Sequence, residues 1–375
     1  MTRRDLLRAA PLAAFPLVGR AQDRTGPTGG MIVRMREPQN LETPAAGLTP
    51  WKTPTDQFFV RSHFAVPKLD DPYTLTVSGH VENPLSLSLK DVQAMPAVAK
   101  PLTLECAGNG RVFLVPQARG LQWGIGAAGT AEWTGVPLGA LLDRAKVKPG
   151  AVEVVLVGAD KGEIRSDHPS PGAVNFDRAI PIAKAKKDEC VLATHMNGEP
   201  LPPSHGAPLR AVIGGWYGMA SVKWLTKIVV VEKPYASFWQ TIDYAVWDRS
   251  GGLPSLVPVT AIQPKAVITS HVENAVVPAG EVRVNGKAWA GENGVAKVEF
   301  SADGGATWQP AQLEKDEKPF CWRSWSIAWT AKNRGPAKLV ARCTDTKGNT
   351  QPDKRDPDRR TYMINHLVPV EVLVR

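Results

Sequence analysis

The sequence predicts an α+β unit followed by an all-β sandwich of immunoglobulin type. Three observations predict it. Strand patterns interleave irregularly with short helical ones as far as about Pro264, and every segment from Ala266 onward reads as strand. The length, 375 residues, also exceeds what one hydrophobic core usually organises. Composition is that of a folded chain: 43% hydrophobic and 22% charged, which excludes disorder, collagen and coiled coil. No apolar run reaches the ~18–20 residues that span a bilayer, so no membrane span is expected.

Taken in order, the chain opens Thr2-Arg3-Arg4-Asp5-Leu6-Leu7, continues through a short apolar stretch from Ala9 to Val18, and reaches Gly19-Arg20-Ala21. A basic start, a weak apolar stretch broken by Pro11 and Pro16, and small residues at the end are expected of a signal peptide over 1–21. The paired arginines before Leu6-Leu7 give it twin-arginine character, so a periplasmic location is expected. That route carries proteins already folded, commonly with a cofactor inserted. Part of the net charge of +9 belongs to this leader, and the remaining excess suits an anionic small molecule or an acidic partner. No Arg-rich helix or aromatic-basic repeat is present, so nucleic-acid binding is not expected.

A polar, irregular stretch runs to about Thr55. Tyr73 to Gly79 alternates as a strand does, and Val152 to Val157 is a buried-type run ending in Gly158-Ala159-Asp160. Short helices are expected at Ser88 to Met95 and at Pro137 to Lys146. The second carries Leu138, Leu141, Leu142 and Ala145 at helical spacing with Pro137 near its start. Beyond the change at Pro264, strands are expected at Glu281 to Trp289, Val295 to Ser301, Ser324 to Trp329, Lys338 to Arg342 and Val368 to Val374. Asp303-Gly304-Gly305 and Asp345-Thr346-Lys347-Gly348-Asn349 are turn signals. The expected domains are therefore 22–263 and 264–375.

Cys106, Cys190, Cys321 and Cys343 lie far apart with no CxxC, so they do not form a disulfide framework, although Cys321 and Cys343 could pair. There is no CxxCH for a c-type haem, no GxGxxG after a strand and no P-loop lysine.

Two segments carry chemistry. In Leu102-Thr103-Leu104-Glu105-Cys106-Ala107-Gly108-Asn109-Gly110-Arg111 an apolar strand ends at a cysteine, and a small-residue turn brings an arginine five positions later. A cation beside a strand-end cysteine favours its thiolate, which is a nucleophile or a soft metal ligand; the plainer alternative is an inert core cysteine. In Phe58-Phe59-Val60-Arg61-Ser62-His63-Phe64, Arg61 and His63 share one face if the segment is extended, between aromatics that would desolvate both.

With these two segments, Arg119-Gly120-Leu121-Gln122-Trp123, Gly129-Thr130-Ala131-Glu132-Trp133, Met196 to Pro202, Ser204-His205-Gly206 with Leu209-Arg210, Ser221-Val222-Lys223-Trp224, Phe238-Trp239-Gln240 with Asp243-Tyr244, and Ser301 to Gly305 with Trp308, the chain resembles the sulfite oxidase family of molybdenum enzymes. The motifs keep family order from Phe58 to near the C-terminus. The resemblance implies a mixed sulfite-oxidase-type molybdopterin domain and a C-terminal immunoglobulin-like domain through which a homodimer forms. It implies a molybdenum-molybdopterin cofactor with Cys106 as the thiolate ligand. By motif position Phe59, Val60, Arg61, Ser62 and His63 would lie along the pterin. Asp160, His205, Arg210, Ser221, Val222 and Lys223 would grip it and its phosphate; the cations Arg210 and Lys223 are suited to that. Arg61, His63, Arg111 and Arg360 would surround a small oxyanion, with Trp123 as a wall and Tyr244 as a hydrogen-bonding phenol near the metal. The segment around Arg360, from Asp353, is charge-rich and reads equally as a solvated loop.

The resemblance implies oxidation of sulfite to sulfate, with electrons leaving one at a time to an external cytochrome c or haem subunit. Close alternatives share these motifs: a sulfane-sulfur dehydrogenase of a thiosulfate-oxidising complex, and a molybdenum sulfoxide reductase, whose relatives usually lack the sandwich. The non-enzyme alternative is an exported β-sandwich binding protein.

Overall fold

The computed structural model describes residues 30–375 apart from 167 and 316. The expected leader at 1–21 lies outside the described residues. Among the described residues no helix is long and apolar enough to cross a membrane.

The N-terminal part is built on two five-stranded sheets. One joins Val98–Glu105, Ala128–Pro137 and Cys190–Met196 in antiparallel order, with Glu199–Pro200 and Arg210–Ile213 also pairing with Cys190–Met196. Both its faces are buried. Leu102, Leu104, Trp133, Val191 and Val212 pack with Phe58, Phe59 and Trp123. Val136, Leu192, Ala211 and Ile213 face the larger core. The other sheet runs Leu85–Ser88, Thr74–Gly79, Leu225–Val231, Glu153–Gly162 and Val174–Pro181, and its one parallel pair joins Thr74–Gly79 to Leu225–Val231. The helix Leu138–Ala145 fits into the same core, burying Leu138, Leu141, Leu142 and Ala145. The helix Leu89–Gln93 begins at a capping box: Asp91 N donates to Ser88 Oγ, and Ser88 N donates back to the Asp91 carboxylate.

The stretch read as irregular holds a hairpin, Ile32–Met35 with Asn40–Glu42, and Leu41 bridges to Val60. Its register is fixed by distant partners. Glu42 is buried and accepts from Arg34 Nε and from the amides of Gly124 and Gly126. No local pattern encodes bonds spanning some eighty positions.

From Lys265 the chain forms a sandwich. One sheet orders Lys265–Ile268, Gly280–Trp289, Arg323–Ala331 and Gln312–Leu313. The other orders Ala275–Val277, Val370–Val374, Gly335–Asp345, Val295–Ser301 and Gln309–Pro310. Val284, Phe300, Trp325, Trp329 and Leu339 fill the space between them. Cys321 and Cys343 do not bond to each other: the Cys321 thiol donates to the Pro101 carbonyl, and Cys343 is directed at the Trp289 carbonyl.

Candidate active site

One cleft of about 700 Å³ opens between the two N-terminal sheets, a size suited to an organic cofactor. Cys106, the first residue past the strand Val98–Glu105, lines it together with Phe59, Arg61, Ser62, His63, Asp160, His205, Arg210, Ser221, Lys223 and Tyr244. Residues more than a hundred positions apart therefore meet in one place.

The Arg61 segment is not a strand, but its hydrogen bonds hold it rigid. Asn40 Oδ1 accepts from Ser62 N and from Arg61 Nη1, while Asn40 Nδ2 donates to the Ser62 carbonyl. Arg61 Nη2 lies 2.9 Å from both ring nitrogens of His63, and His63 Nε2 is 2.7 Å from the Tyr244 hydroxyl. Burial first, then the charges of Arg61, Lys223 and Arg111, hold the His63 imidazole well below its usual range, so it is neutral. Burial also pushes the Tyr244 phenol upward against the pull of Arg61, so it keeps its proton.

Cys106 departs from the expectation of a thiolate stabilised by arginine alone. Burial raises its pKa, and the opposing charges of Arg61 and Arg111 are the smaller effects. A buried sulfur beside cations, yet still a thiol, is suited to deprotonation by a soft metal rather than to free nucleophilic attack.

At the other end Lys223 donates to Ser62 Oγ at 2.7 Å and to the Ser204 carbonyl at 2.9 Å. Arg210 donates to the carbonyls of His205 and Ser221 and lies over the Trp133 ring at 4.9 Å. The turn Pro203–His205 ends at a position that requires glycine: Gly206 has φ +103°, and a Cβ there would come within 2.9 Å of Lys223 Cβ.

These residues fit a pterin that carries a phosphate. Arg61, Arg210 and Lys223 line the cleft against one acid among the described lining residues, Asp160, whose buried Oδ1 has no hydrogen-bond partner. Burial, followed by the charge of Arg210, pushes the Lys223 amine well below its ordinary range, and burial lowers Arg210 to about 9. Buried cations only partly balanced by Asp160, and an orphaned carboxylate oxygen, are groups awaiting an anion and a donor.

His205 yields a pH prediction. Burial, then Arg210 and Lys223, pushes its imidazole down to about 3. The folded chain keeps it neutral, while the unfolded chain protonates it below about 6.5. The stability tied to it is therefore present above pH 6.5 and lost as the pH falls toward 3, at roughly 1.4 kcal/mol per unit. Denaturant unfolding of the cofactor-free chain should show His205→Gln losing less stability than wild type between pH 7 and pH 4. Equal losses would refute the burial of a neutral imidazole.

Several expected residues stand behind the cleft instead of lining it. Val60 packs with Met31 and Leu41, and Val222 sits in the main core. Trp123 is fully buried among Phe58, Phe59 and Cys106, with no partner for its Nε1. The Arg111 guanidinium is held by the carbonyls of Leu121 and Thr361, and its charge still reaches Cys106, His63 and Tyr244. Arg360 donates to the carbonyls of Ile242, Asp243 and Ala245, which ties the C-terminal segment to the turn bearing Tyr244.

Sequence reasoning missed three supports. Phe176 stacks on His63 at 5.5 Å. Tyr362 packs its ring against Tyr244, tilted, with centroids 5.0 Å apart, and donates to Asp243 Oδ1. Arg178, fully buried, donates to the carbonyls of Trp239 and Val259 and anchors the π-helix Phe238–Asp243 that delivers Tyr244. An arginine followed directly by the apolar Ala179-Ile180 in the strand Val174–Pro181 was the available signal for that last support.

Comparison with known proteins identifies both parts of the chain. Residues 63–239 match the oxidoreductase molybdopterin-binding domain, and residues 257–372 match the Mo-co oxidoreductase dimerisation domain. The chain is 34% identical to mitochondrial sulfite oxidase of Rattus norvegicus over 91% of its own length, and it spans 65% of that relative's length. It is 30% identical to sulfite oxidase of Arabidopsis thaliana, covering 86% of this chain and 88% of the other. The sulfane dehydrogenase SoxCD of Paracoccus pantotrophus superposes with a TM-score of 0.75 at 27% identity, over 92% of this chain and 85% of that one.

Proposed function

Because the chain belongs to the sulfite oxidase family of molybdopterin oxidoreductases, we propose that it oxidises sulfite to sulfate. Its molybdopterin-binding domain implies the molybdenum-molybdopterin cofactor. The observation that carries the reading is the meeting of Cys106, Arg61, His63 and Tyr244 in one cleft, with Arg210 and Lys223 at its other end. Cys106 would hold the metal, and Arg210, Lys223, His205, Asp160 and Ser221 would hold the pterin and its phosphate. Sulfite gains one oxygen, drawn in the overall balance from water, and releases two electrons and two protons. The bound cofactor supplies the two-electron oxidation and the oxygen transfer.

The chain's own residues bind and orient. Arg61 presents a fixed positive charge to a small oxyanion within a buried site, where such a charge acts most strongly. Neutral His63 and protonated Tyr244, 2.7 Å apart, form a path that can hold or pass a proton without adding charge. Phe176, stacked on His63, and Trp239, tilted against it, keep water from that pair.

The electrons would pass to an external cytochrome c or haem subunit. The dimerisation domain supports a homodimer, and Arg3-Arg4 supports export to the periplasm by the twin-arginine route. Turnover of the purified, cofactor-loaded chain with sulfite tests the reading, with ferricyanide and cytochrome c compared as acceptors. Turnover with a sulfane-sulfur carrier and none with sulfite would replace it by the chemistry named for SoxCD.

Arg61→Gln should raise KM for sulfite by roughly one to two orders of magnitude, the loss of a charge-assisted bond worth ~1.5–3 kcal/mol. Arg111→Gln should raise it less, because main-chain carbonyls already occupy that guanidinium. Steady-state kinetics on both variants decides, and an unchanged KM in Arg61→Gln removes Arg61 from the oxyanion pocket.

A further inference from the structure

The residue before Cys106 is a fully buried carboxylate, and its strongest partners come from the other domain. Glu105 Oε1 accepts from Lys265 Nζ at 2.9 Å and from Asn109 Nδ2 at 3.0 Å, while Oε2 accepts from Trp289 Nε1 at 2.8 Å. Lys265 Nζ also donates to the Asn109 carbonyl at 2.9 Å. Lys265 and Glu105 are 7% and 1% exposed, so this ion pair is shielded from solvent. Lys265 opens the first strand of the sandwich, and Trp289 closes the strand paired with it. The turn thus gripped is the one that presents the sulfur. Asn109 N donates to the Cys106 carbonyl, Cys106 N donates to Ala127, and Asn109 Oδ1 accepts from Ala127 N. Met363, past the last long strand of the sandwich, donates its amide to the Ala107 carbonyl at 2.8 Å.

We propose that Lys265 and Trp289 are positioning residues for Cys106, and that Lys265 also neutralises the carboxylate one residue from the sulfur, so that the C-terminal sandwich sets both the geometry and the charge around the metal ligand. The proposal rests on the reading of Cys106 as that ligand.

Holding the domains together does not require this pair. Lys184 donates to Glu292 at 2.7 Å, Trp322 Nε1 donates to the Trp51 carbonyl at 2.6 Å, and Arg360 grips the turn before Tyr244. A buried ion pair also stabilises no more, as a rule, than apolar residues of the same volume. What apolar residues could not supply is a counter-charge to Glu105 and two directed bonds to the turn. Groups bonded around a metal ligand tune the metal's potential, and added negative charge favours its oxidised state.

The experiment is an anaerobic redox titration of the cofactor-loaded protein followed by molybdenum EPR, with metal content and thermal stability measured alongside. Lys265→Met leaves Glu105 uncompensated and should lower the midpoint potential. Glu105→Gln leaves Lys265 uncompensated and should raise it. The double variant, neutral for neutral, should return close to wild type even where its thermal stability does not. If Lys265→Met fails to accumulate, the upward shift in Glu105→Gln and its reversal in the double variant decide the same question. A wild-type molybdenum signal together with unmoved potentials in the variants would overturn the proposal, even if their stability fell. A wild-type chain without molybdenum would instead sink the cofactor reading on which it rests.

Discussion

Cys106→Ser is expected to abolish sulfite turnover, by at least about a thousandfold or roughly 4 kcal/mol of barrier, while leaving a folded protein that still holds most of its pterin. Two features lead there. The sulfur is buried, its pKa raised by burial, beside Arg61, and lines the cleft that His63 and Tyr244 share. A serine hydroxyl is a hard, weakly acidic replacement that would not serve a soft metal as thiolate does. The grip on the pterin is placed elsewhere, at His205, Arg210, Ser221 and Lys223, so one lost bond should not empty the site. Activity, pterin content and circular dichroism on one preparation check all parts. Wild-type activity would remove Cys106 as ligand; loss of pterin with activity would move it into the pterin grip.

Lys223→Met should act in the opposite way, with cofactor content falling at least about tenfold, or about 1.4 kcal/mol of binding, while the cofactor-free chain becomes no less stable. The Lys223 amine is buried, held well below its usual pKa by burial and by Arg210, and balanced only in part by Asp160. A charge so placed is costly until an anion arrives, which is the trade of stability for binding expected at a functional site. Metal and pterin analysis give one half of the test, and denaturant unfolding of the cofactor-free forms gives the other. Full cofactor content in the variant would show that Lys223 does not hold the phosphate.

Much of this molecule was legible in the chain. Alternation marked Thr74–Gly79 and the long sandwich strands, and helical spacing marked Leu138–Ala145, because a half-buried element leaves its period in the residues that build it. The segments around Arg61, Cys106, His205 and Lys223 were recognisable by composition and order, and the structure brings them to one cleft. The hairpin Ile32–Met35 with Asn40–Glu42 was not legible, since Glu42 and Asn40 find their partners far along the chain.

The sequence by itself determined the two kinds of architecture and which segments bear the chemistry, because periodicity and reactive residue types are local properties. The tertiary structure alone decided that Arg111 and Arg360 are held by main-chain carbonyls, that Trp123 stands behind the cleft, and that burial outweighs arginine at Cys106. It alone decided, too, that Lys265 and Trp289 of the sandwich meet Glu105. The physical reason is one: desolvation and hydrogen-bond partnership depend on what the folded chain packs around a group, and those neighbours lie as much as 271 positions away.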